Sequence, residues 1–359
     1  INPNQLKATA MHDMNRPTSL TRRRMALALP LLGSAAWLPS AFASAPAPLQ
    51  RESRALMGTR LDIVAEGGSD KQLRIAIDHA WYEMERLAAL MTRYDPASKV
   101  SAINRAAGLH AVAVGAELMA VLETAQGLAA RTQGAFDITV GALKAWHFDA
   151  GQNTLPAASD IEAQRRLVGY RGLVLDKRAG TARLAQRGMA LDLGGVAKLP
   201  ILEAGMKALQ HHGIDNAMLN GGGDVLIAGR LRDRPWRVGL RDPRAPEKML
   251  GVLALEGQAI VASSGDYERF FIAQGERQHH ILDPQTGRPT HGPHGVSLLA
   301  RDAASVNGLG AAMMVLGTDK ARTLLASQPQ VQALVAQRDQ TLWQTPGMAA
   351  ALQAVSAPA

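Results

Sequence analysis

The sequence predicts an α+β fold, with mixed or antiparallel sheets flanked by helices in one large domain of two lobes. Three observations lead there. Helical periodicity dominates residues 70–167, short β-type runs dominate from Gly172 onward, and the strand–helix alternation of a doubly wound parallel sheet is missing. With 359 residues and 47% hydrophobic content, the chain has material for a large core, and it shows no repeat at solenoid periods.

The N-terminus distorts the composition. Thr21-Arg22-Arg23-Arg24-Met25 precedes an uncharged run, Ala26 to Leu38, and then Ala41-Phe42-Ala43, an A-x-A cleavage pattern. Residues 1–43 are therefore expected to be an N-terminal extension and a twin-arginine signal peptide, with Met14 as a candidate start and the mature protein in the periplasm. The apolar run is too short to span a bilayer, so no stable membrane insertion is expected. Formal net charge is +8, and it falls to +4 without residues 1–43, an ordinary surface that does not call for nucleic acid. With no cysteine, disulfides and thiolate ligands are excluded and no lipid-modified cysteine is expected.

Residues 44–52 read as a Pro/Ala-containing linker, and residues 53–350 as the folded domain. Thr59–Ala65 alternates as a strand does. Asp70–Tyr94 carries Leu73, Ile77, Trp81, Met84, Leu87 and Met91 at helical spacing behind a Ser69 or Asp70 cap. A turn at Asp95–Ser98 leads to a short helix into Asn104. A second long helix, Ala116–Thr132, ends near Gly134. Ser159-Asp160-Ile161-Glu162 fits a capping box for a helix to Leu167.

Beyond Gly172, strands are expected at Leu173–Leu175, Ala182–Leu184, Ala217–Leu219, Val225–Ala228, Trp236–Leu240, Val252–Leu255 and Ala259–Val261. Further strands are expected at Phe270–Ala273, His279–Leu282, Val296–Ala300 and Val331–Ala336, with helices at Pro200–His211, Val306–Leu316 and Asp319–Ser327.

Chemistry concentrates in five segments. In Leu191-Asp192-Leu193-Gly194-Gly195-Val196-Ala197-Lys198, an acid, a glycine pair at a helix start and a base suit a phosphate–metal or dinucleotide pocket, although a Gly-Gly is also an ordinary connection. The others are Met57-Gly58-Thr59; Tyr94 with the turn after it and Asn104; Gly134-Ala135-Phe136-Asp137-Ile138-Thr139-Val140-Gly141; and Ser263-Ser264-Gly265-Asp266-Tyr267 continuing into His279-His280-Ile281-Leu282-Asp283-Pro284. Asn220-Gly221-Gly222-Gly223-Asp224 reads as a loop of close backbone approach. Trp146 reads as core.

From Met57 to Gly317 these segments resemble, in order, those of the ApbE family of FAD:protein FMN transferases: M-G-T, G-x-F-D-x-T-V-G, D-L-G-G-I-A-K-G, N-x-G-G-D, T-S-G-D-Y and H-H-I-x-D-P. The export signal further resembles the NosX branch, associated with nitrous-oxide reductase maturation. The resemblance implies that Met57, Tyr94, Ala135, Phe136 and Asp137 line the flavin or adenine ends of FAD. It also implies that Asp192, Lys198 and Ile281 contact the cofactor near its sugar and pyrophosphate.

The implied reaction moves FMN from FAD to a threonine of an acceptor flavoprotein carrying a flavinylation motif, with release of AMP. His280 is the expected base. The family holds Mg²⁺ through a backbone carbonyl of the Gly-Gly segment, here Gly195, plus an aspartate and a threonine one helical turn apart. Here Asn307 and Ala311 occupy those two positions, which weakens the expected metal site. Leu199-Pro200 also replaces the Gly-Tyr that the family favours. Two readings follow: a transferase with weakened metal dependence, or an FAD- or FMN-binding accessory or maturation protein without efficient transfer. An FAD pyrophosphatase would need the same metal.

Overall fold

Alternation along one long sheet organises the molecule. The computed structural model describes residues 47–149, 151 and 153–354, so the twin-arginine segment lies outside the described residues. The strands of the large sheet are numbered β1 (Leu49–Leu56), β2 (Thr59–Glu66), β3 (Asn216–Gly221), β4 (Asp224–Ala228), β5 (Ala259–Gly265), β6 (Gly295–Ala300), β7 (Gln332–Ala336) and β8 (Leu342–Gln344). Their spatial order is their chain order, and every neighbouring pair is antiparallel.

Successive side chains leave opposite faces of a strand. Leu61, Ile63 and Ala65 of β2, Leu219 of β3, Ile260 of β5 and Leu298 of β6 therefore share one core. Val64, Val225, Ile227, Val261 and Leu334 share another on the opposite face. The first face is covered by α1 (Asp70–Met91), α5 (Lys198–His211) and α6 (Leu309–Ala326). The second is covered by a small sheet of Trp236–Asp242, Ala245–Leu255 and Leu352–Gln353, whose Trp236, Val238 and Leu253 are buried against it. The described residues cluster as one compact unit. No helix among them is long and apolar enough to cross a membrane.

Everything between β2 and β3 is insertion: α1, α2 (Lys99–Arg105), α3 (Ala116–Arg131), α4 (Ala158–Arg165), α5 and a three-stranded sheet of Val112–Ala113, Leu173–Asp176 and Thr181–Leu184. A third core, around Leu143, Trp146, Ile161 and Phe271, lies under this insertion. Trp146 is core as expected: its indole N–H donates to the Gly287 carbonyl at 2.8 Å.

Several boundaries differ from expectation. β1 occupies half of the supposed linker, because Leu49–Leu56 pairs along its whole length with β2 despite a polar sequence. α1 stops at Met91, not Tyr94. Thr92 turns extended there, its hydroxyl accepts the Tyr94 N–H, and its carbonyl accepts the Ser98 hydroxyl. α3 closes in a Schellman arrangement in which Gln133, not Gly134, is the first left-handed residue (φ 52°), with bonds Gln133 N to Ala130 O and Gly134 N to Ala129 O. The capping box at Ser159 is not formed; α4 begins two residues earlier, at Ala158 after Ala157.

Two further boundaries touch the site. His280 and Ile281 lie between strands Glu276–His279 and Leu282–Asp283, where one strand was expected. α6 starts at Leu309 rather than Val306 and kinks at Gly317 (φ 74°, ψ 169°), which separates the two helices expected there. α7 (Pro346–Ala351) and β8 carry too little periodicity to stand out in the sequence.

Candidate flavin site

The Asp192–Lys198 loop is the hub of the site. Its position is set by three backbone attachments. Asn104 on α2 clamps Leu191 from one side, its amide donating to the Leu191 carbonyl at 3.1 Å and its carbonyl accepting the Leu191 N–H at 2.6 Å. From the other side, the Asp192 N–H donates to the Ile138 carbonyl at 2.7 Å, and Val140 bridges to Ala190 in parallel. A Cβ on Gly141 would lie 2.5 Å from the Leu191 carbonyl carbon, so only glycine permits this approach.

At the first end of the loop, Asp192 Oδ1 accepts the Gly194 N–H at 2.8 Å, and Oδ2 lies 3.3 Å from Arg93 Nε. That contact is an ion pair without hydrogen-bond geometry, since Arg93 Nε has no hydrogen-bond partner. Burial works against the Arg93 charge, but the Asp192 carboxylate, the Tyr94 hydroxyl and Asp149 together outweigh it and hold the guanidinium above its usual range. The guanidinium in turn sits over the Tyr94 ring at 5.0 Å. Tyr94 is 73% exposed, an aromatic surface with one face open to solvent.

Lys198, the first residue of α5, marks the other end. Its ammonium is 3.0 Å from Asp224 Oδ2, while Asp224 Oδ1 accepts the Ser263 N–H at 3.0 Å. The lysine is therefore tied to both β4 and β5. His280 is close enough to feel the Lys198 charge. Its Nδ1 donates to the Arg269 carbonyl at 3.3 Å, which leaves the Nε2 lone pair free. Burial, then the charges of Arg269, His279 and Lys198, push its pKa down to about 3, so the ring is neutral at physiological pH. Ile281 packs its side chain against the helix-side core and accepts the Thr290 N–H through its carbonyl.

The middle of the loop meets Phe136 and the segment before α6. Phe136 is buried, and a Cβ on Gly195 or Gly308 would approach its ring within 3.1 or 3.2 Å. Gly308 has φ 75° and caps α6. Asn307 is also buried, and its amide donates to the Val196 carbonyl at 3.0 Å.

Met57 and Gly58 form the two-residue β1–β2 turn, with φ values of 56° and 71°. Gly222 abuts Thr59, which places the turn beside the Asn220–Asp224 loop.

Two expected contacts are placed differently. The Asp137 carboxylate faces inward: Oδ1 accepts both the N–H and the hydroxyl of Thr139, and Oδ2 accepts the Tyr170 N–H at 2.7 Å. Burial raises its pKa while these bonds oppose the rise, so Asp137 shapes the loop and does not present a free carboxylate to a ligand. Ala135 is buried beside it. Asn307 and Ala311 are not one turn apart on a helix, because the left-handed Gly308 separates Asn307 from α6. The residues present do not fit Mg²⁺. Asn307 turns a donor toward the carbonyl, Ala311 offers no ligand atom, and among the described residues no three His, Cys, Asp or Glu side chains converge.

Sequence reading missed Arg93, which only its neighbour Tyr94 could have flagged, and the Asp224 carboxylate as the anchor of Lys198.

The ApbE family model matches residues 57–335. The chain belongs to the ApbE family. A FAD:protein FMN transferase of Klebsiella pneumoniae is 31% identical over 254 residues, 70% of this chain and 78% of that one. One of Treponema pallidum is 31% identical over 281 residues, covering 73% and 77%. Among solved structures, an ApbE protein of Thermotoga maritima superposes with a TM-score of 0.78 at 29% identity, covering 85% of this chain and all of that one. Flavin transferase ApbE from Vibrio cholerae gives 0.74 at 26% identity, covering 86% of this chain and all of that one.

Proposed function

We propose that this protein is an FAD:protein FMN transferase that acts, after twin-arginine export, on a threonine of a periplasmic or membrane flavoprotein. The observation that carries the reading is the arrangement on the Asp192–Lys198 loop. An exposed aromatic ring stands at one end and a fixed ammonium at the other, and the neutral imidazole of His280 lies within range of that ammonium's charge.

FAD needs those features at its own two ends. Tyr94 and Met57 offer surface to a ring system, and Lys198 opposes the pyrophosphate charge. The threonine oxygen of the acceptor attacks the phosphorus on the FMN side. The new O–P bond forms as the bridging P–O bond to AMP breaks, and the hydroxyl proton passes to His280 Nε2. Phosphate charge beside the ring raises the affinity of His280 for that proton. No step is assigned to a metal.

The missing metal ligands favour a second reading, an accessory protein that holds flavin for a maturation system such as that of nitrous-oxide reductase. Intact-mass spectrometry of an acceptor with a threonine flavinylation motif, incubated with the protein and FAD, separates the two. A covalent FMN adduct that disappears in His280→Ala, with FAD binding retained, is the expected result. Retained FAD without adduct establishes the accessory role.

A further inference from the structure

The Val196 carbonyl poses a problem that the chain solves internally. It lies at the mouth of α5 but takes no helical bond: the first turn is closed through the Ala197 carbonyl, which accepts the Ile201 N–H at 3.2 Å. Val196 is buried, and a buried carbonyl needs a donor or a cation. Asn307 Nδ2 supplies the donor at 3.0 Å. A carboxylate in the same place would set oxygen against oxygen with no proton between them, an arrangement that a bridging cation relieves.

We infer that the Asn307 amide, bound to the carbonyl of Val196 one residue beyond Gly195, takes the place of a cation in this loop, so that flavin binding by this protein is independent of Mg²⁺. The inference rests on the flavin reading above. Three features support it beyond the hydrogen bond. Gly308 cannot carry a Cβ without coming within 2.8 Å of Leu128 and 3.0 Å of Val196, so the left-handed turn that holds Asn307 off α6 is built in. Ala311, at the remaining position, has only a methyl group. Positive charge is already present at both ends of the loop, as Arg93 and Lys198, each held by its own carboxylate. A ligand with two phosphates therefore meets fixed protein cations.

The test is equilibrium FAD binding to the full chain, followed by flavin fluorescence, in EDTA and in millimolar Mg²⁺. The two dissociation constants should agree within about twofold, because no carboxylate remains at this junction to make binding cation-dependent. Asn307→Asp should bind weakly in EDTA and recover about tenfold or more in Mg²⁺. A parent protein that loses FAD in EDTA overturns the inference and leaves the flavin reading intact. So does an Asn307→Asp variant that is indifferent to Mg²⁺. FAD binding in neither buffer overturns the flavin reading itself. Thermal unfolding without flavin gives an independent readout: the parent should not shift with Mg²⁺, and a clear rise would overturn the inference whatever FAD does.

Discussion

Replacing Lys198 by methionine separates two consequences of one ion pair. The ammonium is 3.0 Å from Asp224 Oδ2, and the two side chains are 27% and 12% exposed. Asp224 keeps its second bond, to the Ser263 N–H, so the carboxylate stays in place when the lysine is removed. Orphaning a fully buried charge costs about 3–5 kcal/mol, and breaking an exposed pair about 0–1 kcal/mol. With the lysine a quarter exposed, this pair lies between, at about 2 kcal/mol, or roughly 3 °C in Tm for a domain of this length. Adding Asp224→Asn removes the orphaned charge while an amide oxygen still accepts from Ser263, so most of the stability should return. FAD affinity should not return. A lost charge-assisted contact of about 1.5–3 kcal/mol leaves the dissociation constant roughly 10–100-fold weaker in both variants. Differential scanning calorimetry and a fluorescence titration on the same samples give both numbers. A double variant that regains FAD affinity along with stability would refute the reasoning, since Lys198 would then act only through the fold. An unchanged Tm in the single variant would refute the stability part.

Three other outcomes are expected. Gly308→Ala forces a Cβ against Leu128, Val196 and Phe136 at positive φ, and calorimetry should register a loss of about 2–4 kcal/mol. Asn104→Ala strips both backbone partners from Leu191, costing about 1–3 kcal/mol in urea unfolding and weakening FAD binding through the displaced Asp192. His279 and His280 are held neutral below the ordinary value of 6.5, chiefly by burial, with His280 at about 3. The unfolded chain therefore binds protons first, so their stabilising effect is complete above about pH 6.5 and declines toward pH 3. The urea midpoint should fall between pH 7 and pH 5, and less steeply in His280→Gln; equal slopes in the two proteins would remove His280 from this account.

The large elements were legible because their signals are local. The stripe Leu73 to Met91 specifies a helix that buries one face, and Leu61, Ile63 and Ala65 specify a strand that faces it. β1 was not legible, since an edge strand with little buried surface carries little alternation and its pairing is set by β2. The site followed the same division. Asp192, Lys198, Tyr94 and His280 stand in motifs that point to a ligand, and the structure gathers the first three around one loop. The inward turn of Asp137 depends on the Tyr170 N–H, 33 residues away, and Gly308 breaks the helical register that would align Asn307 with Ala311. Neither effect is local, so neither shows in the motif.

The chain-ordered sheet also shapes how the molecule folds. Six of its seven strand pairings join β3 to β8, or β1 to β2, in sequential steps. The remaining one, β2 with β3, closes roughly 150 residues, a loop-entropy cost of about 4 kcal/mol beyond that of a minimal loop. Asp192 and Lys198 lie inside that closed segment, whereas Asp224 and His280 lie beyond it. The Met57–Gly58 turn is therefore brought beside the Asn220–Asp224 loop only by that longest-range ladder.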